Sequence, residues 1–182
     1  MITWSETRQR LNQDKQRLID SYAADNSKKP VFMILNTSYQ CVFLYRLSHY
    51  LYLRNRTSLA RLFWYLNLLL NGAEISPTSD IQAGILFNKP LGLIITGNIG
   101  KNCTIESNTA IIPDAFSLES DVRSILPVLG DNVRVGIAVT ISGAIKIGND
   151  VIIGPRCLVD CDLEDSSQLW LDSLLIRSKP AN

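Results

Sequence analysis

With 182 residues, 46% of them hydrophobic and 19% charged, the chain is long enough to bury a core and too apolar to be disordered by composition. A formal net charge of +1 gives no general attraction to nucleic acid, and no nucleic-acid partner is expected. The first residues are polar without a secretory pattern, and the apolar stretches at 31–35, 41–53 and 59–70 fall short of the roughly 20 residues a spanning helix needs, so a cytoplasmic protein is expected.

In chain order, Thr3 and Glu6 have the spacing of a capping box and open a mainly polar helix that runs to about Ala24. Residues 25–30 read as a loop. A second helical stretch extends from about Pro30 to Leu53, with Leu44, Leu47 and Leu51 at helical spacing, and residues 55–58 break it. The third helix spans about Ser58 to Asn71 and stops at Gly72. Its leucines, with Arg54, Arg56 and Arg61 nearby, are expected to pack against the following domain or a neighbouring copy; contact with anionic lipid is the weaker reading.

After Gly72 the period becomes six. Ile75, Ile81, Phe87, Leu93, Ile99, Ile105 and Ile111 form one run, and Leu129, Val135, Ile141, Ile147, Ile153 and Val159 form another. In the second run a small or turn-forming residue follows each of these: Gly130, Gly136, Ser142, Gly148, Gly154 and Asp160. A triangular coil of three short strands requires this wording, because each face sends one aliphatic side chain inward and the chain must then bend sharply. The pattern predicts a left-handed parallel β-helix over residues 73–163, preceded by a helical domain over 1–72.

Between the two runs, residues 113–127 do not obey the repeat. They read as an extruded loop, with a degenerate coil as the alternative. Residues 164–182 are expected to form a short C-terminal helix that caps the solenoid, starting at Glu164–Ser167. Cys41, Cys103, Cys157 and Cys161 show no metal-ligand spacing and no metal is expected; Cys103 and Cys157 fall on inward positions as small core residues.

Four segments then carry a resemblance: LYRLSHYL at 44–51, NGAEISP at 71–77, PLGLII at 90–95 and LPVLGD at 126–131. Over residues 39 to 158 the chain resembles the hexapeptide-repeat acyltransferases of the serine acetyltransferase and polysaccharide O-acetyltransferase group. The resemblance implies a homotrimer, acetyl-CoA as co-substrate in the groove between neighbouring solenoids, and transfer to a hydroxyl with histidine as general base. An alcohol is a weak nucleophile at neutral pH, and a neutral imidazole within reach takes its proton as the thioester is attacked.

The chain departs from that pattern at each histidine position. Lys89 stands where the first is expected, Leu126 at the second, and Ser76 precedes Pro77 where the coils begin. A lysine accepts a proton at neutral pH only when desolvated or set beside other cations. The candidate catalytic residues are Lys89, Asn88 and the loop carboxylate Asp114; Gly136, Ala138, Gly154, Pro155 and Arg156 are the candidate acetyl-CoA contacts. His49 is expected to be structural. Two functions are open: O-acetylation of a sugar, polysaccharide precursor or serine-like acceptor, or an inactive paralogue that binds or regulates a partner in a trimer.

Overall fold

The structure is a computed structural model that describes residues 3–24, 33–113 and 125–171. Helix α1 spans Trp4–Ala24, α2 spans Thr37–Leu53 and α3 spans Thr57–Asn71. The Thr3–Glu6 box is formed: Glu6 N donates to Thr3 Oγ1 at 3.2 Å, and Thr3 N donates to Glu6 Oε2 at 2.6 Å. Helix α2 begins later than the apolar pattern suggests, because Asn36 takes the N-cap and its side chain accepts from Tyr39 N, after a 3₁₀ turn at Met33–Leu35. Gly72 ends α3 in the left-handed conformation, φ 62°, and its N–H closes onto Leu68 O.

Among the described residues, thirteen short parallel strands follow and stack into three faces. Face A contains β1 (Glu74–Ile75), β3 (Ile94–Ile95), β6 (Ala110–Ile112), β9 (Thr140–Ser142) and β12 (Leu158–Val159). Face B contains β4 (Asn98–Ile99), β7 (Val128–Leu129) and β10 (Lys146–Ile147). Face C contains β2 (Leu86–Asn88), β5 (Thr104–Glu106), β8 (Arg134–Val135), β11 (Ile152–Ile153) and β13 (Gln168–Leu169). All thirteen residues of the six-residue runs are buried, and Cys103 and Cys157 point inward with them. Fold class and interior columns therefore follow the sequence reading: a helical segment, then a left-handed parallel β-helix.

Three details differ from that reading. Leu93 is buried but does not stand in the column of Ile75 and Ile111, where the six-residue period puts it; the residue paired with both is Ile95. The corner after β2 is two residues longer than its counterparts, and the next corner, at Thr96–Gly97, is two shorter, so the overall period survives. Second, the register passes directly from Ile99 to Leu129 and from Ile111 to Ile141. Coils on either side of the interruption thus stack directly on each other; residues 114–124, on which the loop or degenerate-coil reading falls, lie outside the described residues. Third, Glu164–Ser167 is not a helix start. It is another corner, with Ser166 at φ 60° and Asp165 Oδ1 accepting from Asn149 N at 2.6 Å, and β13 pairs with β11 beyond it. The remainder of the expected terminal helix, residues 172–182, lies outside the described residues.

The helices dock on the first coils through a buried polar core. Arg46 and Asp14 pair at 2.9 Å with side chains only 2% exposed. Asp14 Oδ1 accepts from Gly84 N at 2.7 Å and Ile85 N at 2.9 Å; Arg46 donates to Ile81 O and, at 2.7 Å, to Gln82 O. Tyr45 Oη donates to Ser79 O at 2.7 Å and accepts from Ile81 N at 3.1 Å. The first coil has no coil beneath it, and these side chains satisfy backbone groups that would otherwise be orphaned. Of the two expected packings for helix α3, the one on the following domain is not made by Leu59, Leu62, Tyr65 and Leu69, which are exposed in the single chain.

Candidate functional site

Each corner from face C to face A has a residue in the left-handed region, Gly92, Asn108, Ala138 and Arg156, and these form a column with Gly72, which ends α3, at φ between 57° and 75°; the first of these corners carries a second such residue, Lys89. Backbone bonds stitch the column together: Gly92 N to Gly72 O, Asn108 N to Leu91 O, Ala138 N to Ser107 O and Arg156 N to Ile137 O, at 2.8–3.0 Å. Of the candidate residues, Asn88, Lys89, Gly136, Ala138, Gly154, Pro155 and Arg156 all lie along this one edge. Asp114 lies outside the described residues.

Lys89 and Asn88 occupy the lengthened corner and are exposed, Lys89 itself at φ 55°. Asn88 Nδ2 donates to Glu106 Oε1 of the next coil at 3.0 Å, so its amide is already engaged in joining two coils. Along the same edge and on the adjoining face A, Leu91, Ile94, Ile137 and Leu158 are exposed, an apolar strip beside the backbone column. Gly136 has a packing reason to be glycine: a Cβ there would lie 2.8 Å from Pro155 N and 3.0 Å from Gly154 C. Arg156 has no such reason. Its guanidinium stands exposed at the far end of the strip, without an ion pair among the described residues.

The position of the second expected histidine, Leu126, is 8% exposed and lies at the other border of face A, before β7. Within one chain, Lys89 and Leu126 therefore stand on different edges. Ser76, at the third position, follows β1 on that same border and shares a hydrogen bond of 2.7 Å with Thr78 Oγ1.

The only histidine of the sequence is committed elsewhere. His49 Nδ1 lies 2.9 Å from Pro77 O, and because a carbonyl only accepts, Nδ1 carries the proton. Its Nε2 is buried without a partner among the described residues. Burial draws the imidazole below its usual 6.5, an effect the Pro77 carbonyl opposes. The unfolded chain then binds a proton that the folded chain refuses, so stability falls as pH drops through and below 6.5. Urea midpoints at pH 7.5 and 5.5 are expected to show a loss on acidification that His49→Asn, which still donates to Pro77 O, reduces. An equal loss in both proteins would show that His49 is not the titrating group.

Cysteine chemistry is not on offer at the buried positions 41 and 103. Burial pushes the Cys41 thiol up to about 12 and the Cys103 thiol up to about 11, so neither supplies a thiolate near neutrality. Among the described residues, no group of three His, Cys, Asp or Glu side chains is placed to hold a metal ion.

Sequence reasoning passed over a basic cavity of about 440 Å³ at the corner between faces B and C, lined by Arg17, Asn102, Asn132, Arg134, Asp150 and Ile152. Arg17 is pinned there by Gly84 O, by Cys103 O at 2.9 Å and by Thr104 Oγ1 at 2.9 Å. Thr104 is in register with Arg134, which brings the two guanidinium groups together. Burial, and after it the neighbouring Arg134, draw the Arg17 guanidinium below its ordinary pKa. Nothing in the spacing of residues 17 and 134 announces this meeting, since one belongs to a helix and the other to a coil.

No family model matches the chain. The serine acetyltransferase of Helicobacter pylori (strain 26695) is 30% identical over 159 residues, which cover 86% of this chain and 90% of the relative. The serine acetyltransferase of Synechococcus elongatus is 31% identical over 123 residues, 66% of this chain and 49% of that protein. A bifunctional protein GlmU of Methanococcus maripaludis (strain C5) is 28% identical over 130 residues, 63% of this chain and 32% of that protein. The chain thus spans about a third to a half of the latter two relatives. Among solved structures, Neisseria gonorrhoeae serine acetyltransferase superposes with a TM-score of 0.81 at 20% identity, over 93% of this chain and 64% of that one. Serine acetyltransferase isoform 3 of Entamoeba histolytica, in complex with cysteine, gives 0.80 at 20% identity, over 93% and 61%. At such identities the superpositions establish the fold.

Proposed function

The chain belongs to the serine acetyltransferase family of hexapeptide-repeat acyltransferases, and from that premise we propose that it binds acetyl-CoA along the edge between faces C and A and passes the acetyl group to a hydroxyl. The observation that carries this reading is the gathering of seven candidate residues on a single edge beside an apolar strip. The strip of Leu91, Ile94, Ile137 and Leu158 suits the pantetheine arm, the backbone column suits its amides, and Arg156 suits a phosphate. In the reaction the acceptor oxygen bonds to the acetyl carbon, the thioester C–S bond breaks, and the acceptor's proton leaves to a base or to the departing sulfur.

A trimer is part of the proposal. Face A is bordered by the Lys89 edge on one side and by Leu126 and Ser76 on the other, so only two adjoining chains would set such edges against each other. The exposed apolar residues of face A support its being covered. The acceptor, a sugar, a polysaccharide precursor or a serine-like molecule, is proposed only as a hydroxyl compound.

One observation favours the second reading, an inactive paralogue that serves as a binding or regulatory member of a trimer. The sole histidine is buried in the helix–solenoid junction and holds Pro77, so the chain brings no histidine base to the edge. Calorimetry with acetyl-CoA tests what both readings share. Saturable binding at submillimolar ligand, weakened about ten- to a hundredfold by Arg156→Ala, is expected for one lost charge-assisted contact of about 1.5–3 kcal/mol. Absence of binding at millimolar acetyl-CoA would sink the acyltransferase reading. Free-thiol release with serine and a panel of sugars then separates enzyme from paralogue.

A further inference from the structure

Helix α3 has its polarity reversed. Its inward line is Ala60, Asn67 and Asn71, all buried. These groups are used on α2 and on each other: Asn67 Nδ2 donates to Cys41 O at 3.1 Å, and Asn71 Nδ2 donates to Asn67 Oδ1 at 2.9 Å. Helical periodicity places Leu62, Tyr65 and Leu69 on the opposite side, and they are 50%, 50% and 63% exposed. Leu59 and Leu70 flank them, also exposed. A helix on the surface of a protein surrounded by water turns its leucines inward, so this pattern is made for something outside the chain.

Charge selects what that is. From Met33 to Ala73 there is no Asp or Glu, while Arg54, Arg56 and Arg61 stand exposed around the start of α3. Among the described residues none of the three is in an ion pair. The same segment of a second copy would present the same arginines and no carboxylate, so α3 against α3 lacks complementary charge. An anionic lipid surface supplies it: the leucines and Tyr65 enter the acyl boundary, and the arginines lay their stems along the helix and meet headgroup phosphates. With 15 residues α3 is about 22 Å long, and no helix among the described residues is long and apolar enough to cross a membrane.

We propose that α3 is a membrane-surface helix that docks this protein on anionic bilayers through its outward leucine face and flanking arginines. The proposal goes beyond acetyl transfer and does not depend on it, since vesicle binding is measured without acetyl-CoA. Docking would confine the reaction edge to hydroxyl acceptors presented at, or diffusing along, that surface.

The test is sedimentation of the full chain with vesicles of phosphatidylcholine alone or mixed with phosphatidylglycerol. Binding to the mixed vesicles is expected to be at least about tenfold tighter and to weaken as salt is raised. Leu62→Ser with Leu69→Ser should remove it while circular dichroism stays unchanged. Arg54→Gln, Arg56→Gln and Arg61→Gln together, at exposed positions with little bearing on folding, should reduce it to the level of pure phosphatidylcholine. Equal binding to both vesicle types, or no binding to either, would overturn the proposal. So would a leucine variant that sediments like the parent with vesicles, or one that changes only the oligomeric mass in solution, which would make the face a contact between copies.

Discussion

Lys89→His is expected to raise acetyl transfer by about a hundredfold or more over the parent, within the range a positioned general base contributes. A lysine acts as base when it is dried or crowded by other cations. Lys89 is exposed, on the lengthened corner after β2. A neutral imidazole at the same position can accept the hydroxyl proton at neutral pH. The backbone favours the exchange as well, because residue 89 sits at φ 55°, a region where histidine is found more often than most side chains. The measurement is free-thiol release from acetyl-CoA with serine and a sugar panel, for the parent, Lys89→His and Lys89→Ala. A silent parent and an active Lys89→His mark an inactive paralogue that retains the scaffold. An active parent that loses activity in Lys89→Ala and does not gain it in Lys89→His would overturn the expectation and make Lys89 the working base.

How much of this was readable in advance depends on how local each signal is. The interior columns were legible because a triangular coil forces an aliphatic residue onto each face, and neither a helix nor an alternating strand repeats large apolar residues at intervals of six with a small residue beside them. The displacement of Leu93 by Ile95 was not legible, since a corner lengthened by two and another shortened by two leave the period intact. Glu164–Ser167 reads as a helix cap because Asp and Ser serve caps and tight corners through the same side-chain hydrogen bonds. The candidate edge came from resemblance rather than from any physical signal in the residues, and what packing adds is that Asn88 through Arg156 share it. Helix α3 was readable as amphipathic, but not the direction of its apolar side. That direction was set by Asn67 and Asn71 bonding inward, which a hydrophobicity pattern counts as evidence for solvent.

The junction illustrates the same limit with the largest energetic consequence. Asp14 lies in a polar helix among other charged residues, and nothing in the sequence separates it from a solvated carboxylate. Folded, it is nearly inaccessible, holds Arg46 at 2.9 Å and accepts from two backbone N–H groups of the first coils. Asp14→Ala is therefore expected to cost about 3–5 kcal/mol, because it leaves the Arg46 guanidinium buried without its counter-charge. The loss should exceed that of a part-exposed ion pair such as Arg10–Asp80, for which about 1 kcal/mol is expected. Arg46→Met combined with Asp14→Leu should recover part of it by removing both charges at once. Recovery stays incomplete, because Ile81 O, Gln82 O, Gly84 N and Ile85 N lose the partners that close the bottom of the solenoid. Urea unfolding of the two single variants, the pair and the parent measures this as a double-mutant cycle. If Asp14→Ala stays within about 0.5 kcal/mol of the parent, the range of ordinary surface substitutions, the helices contribute nothing to the coils through this pair. Coupling of several kcal/mol would instead mean that helices and solenoid fold as one unit, with Asp14 and Arg46 as the cap on its open end.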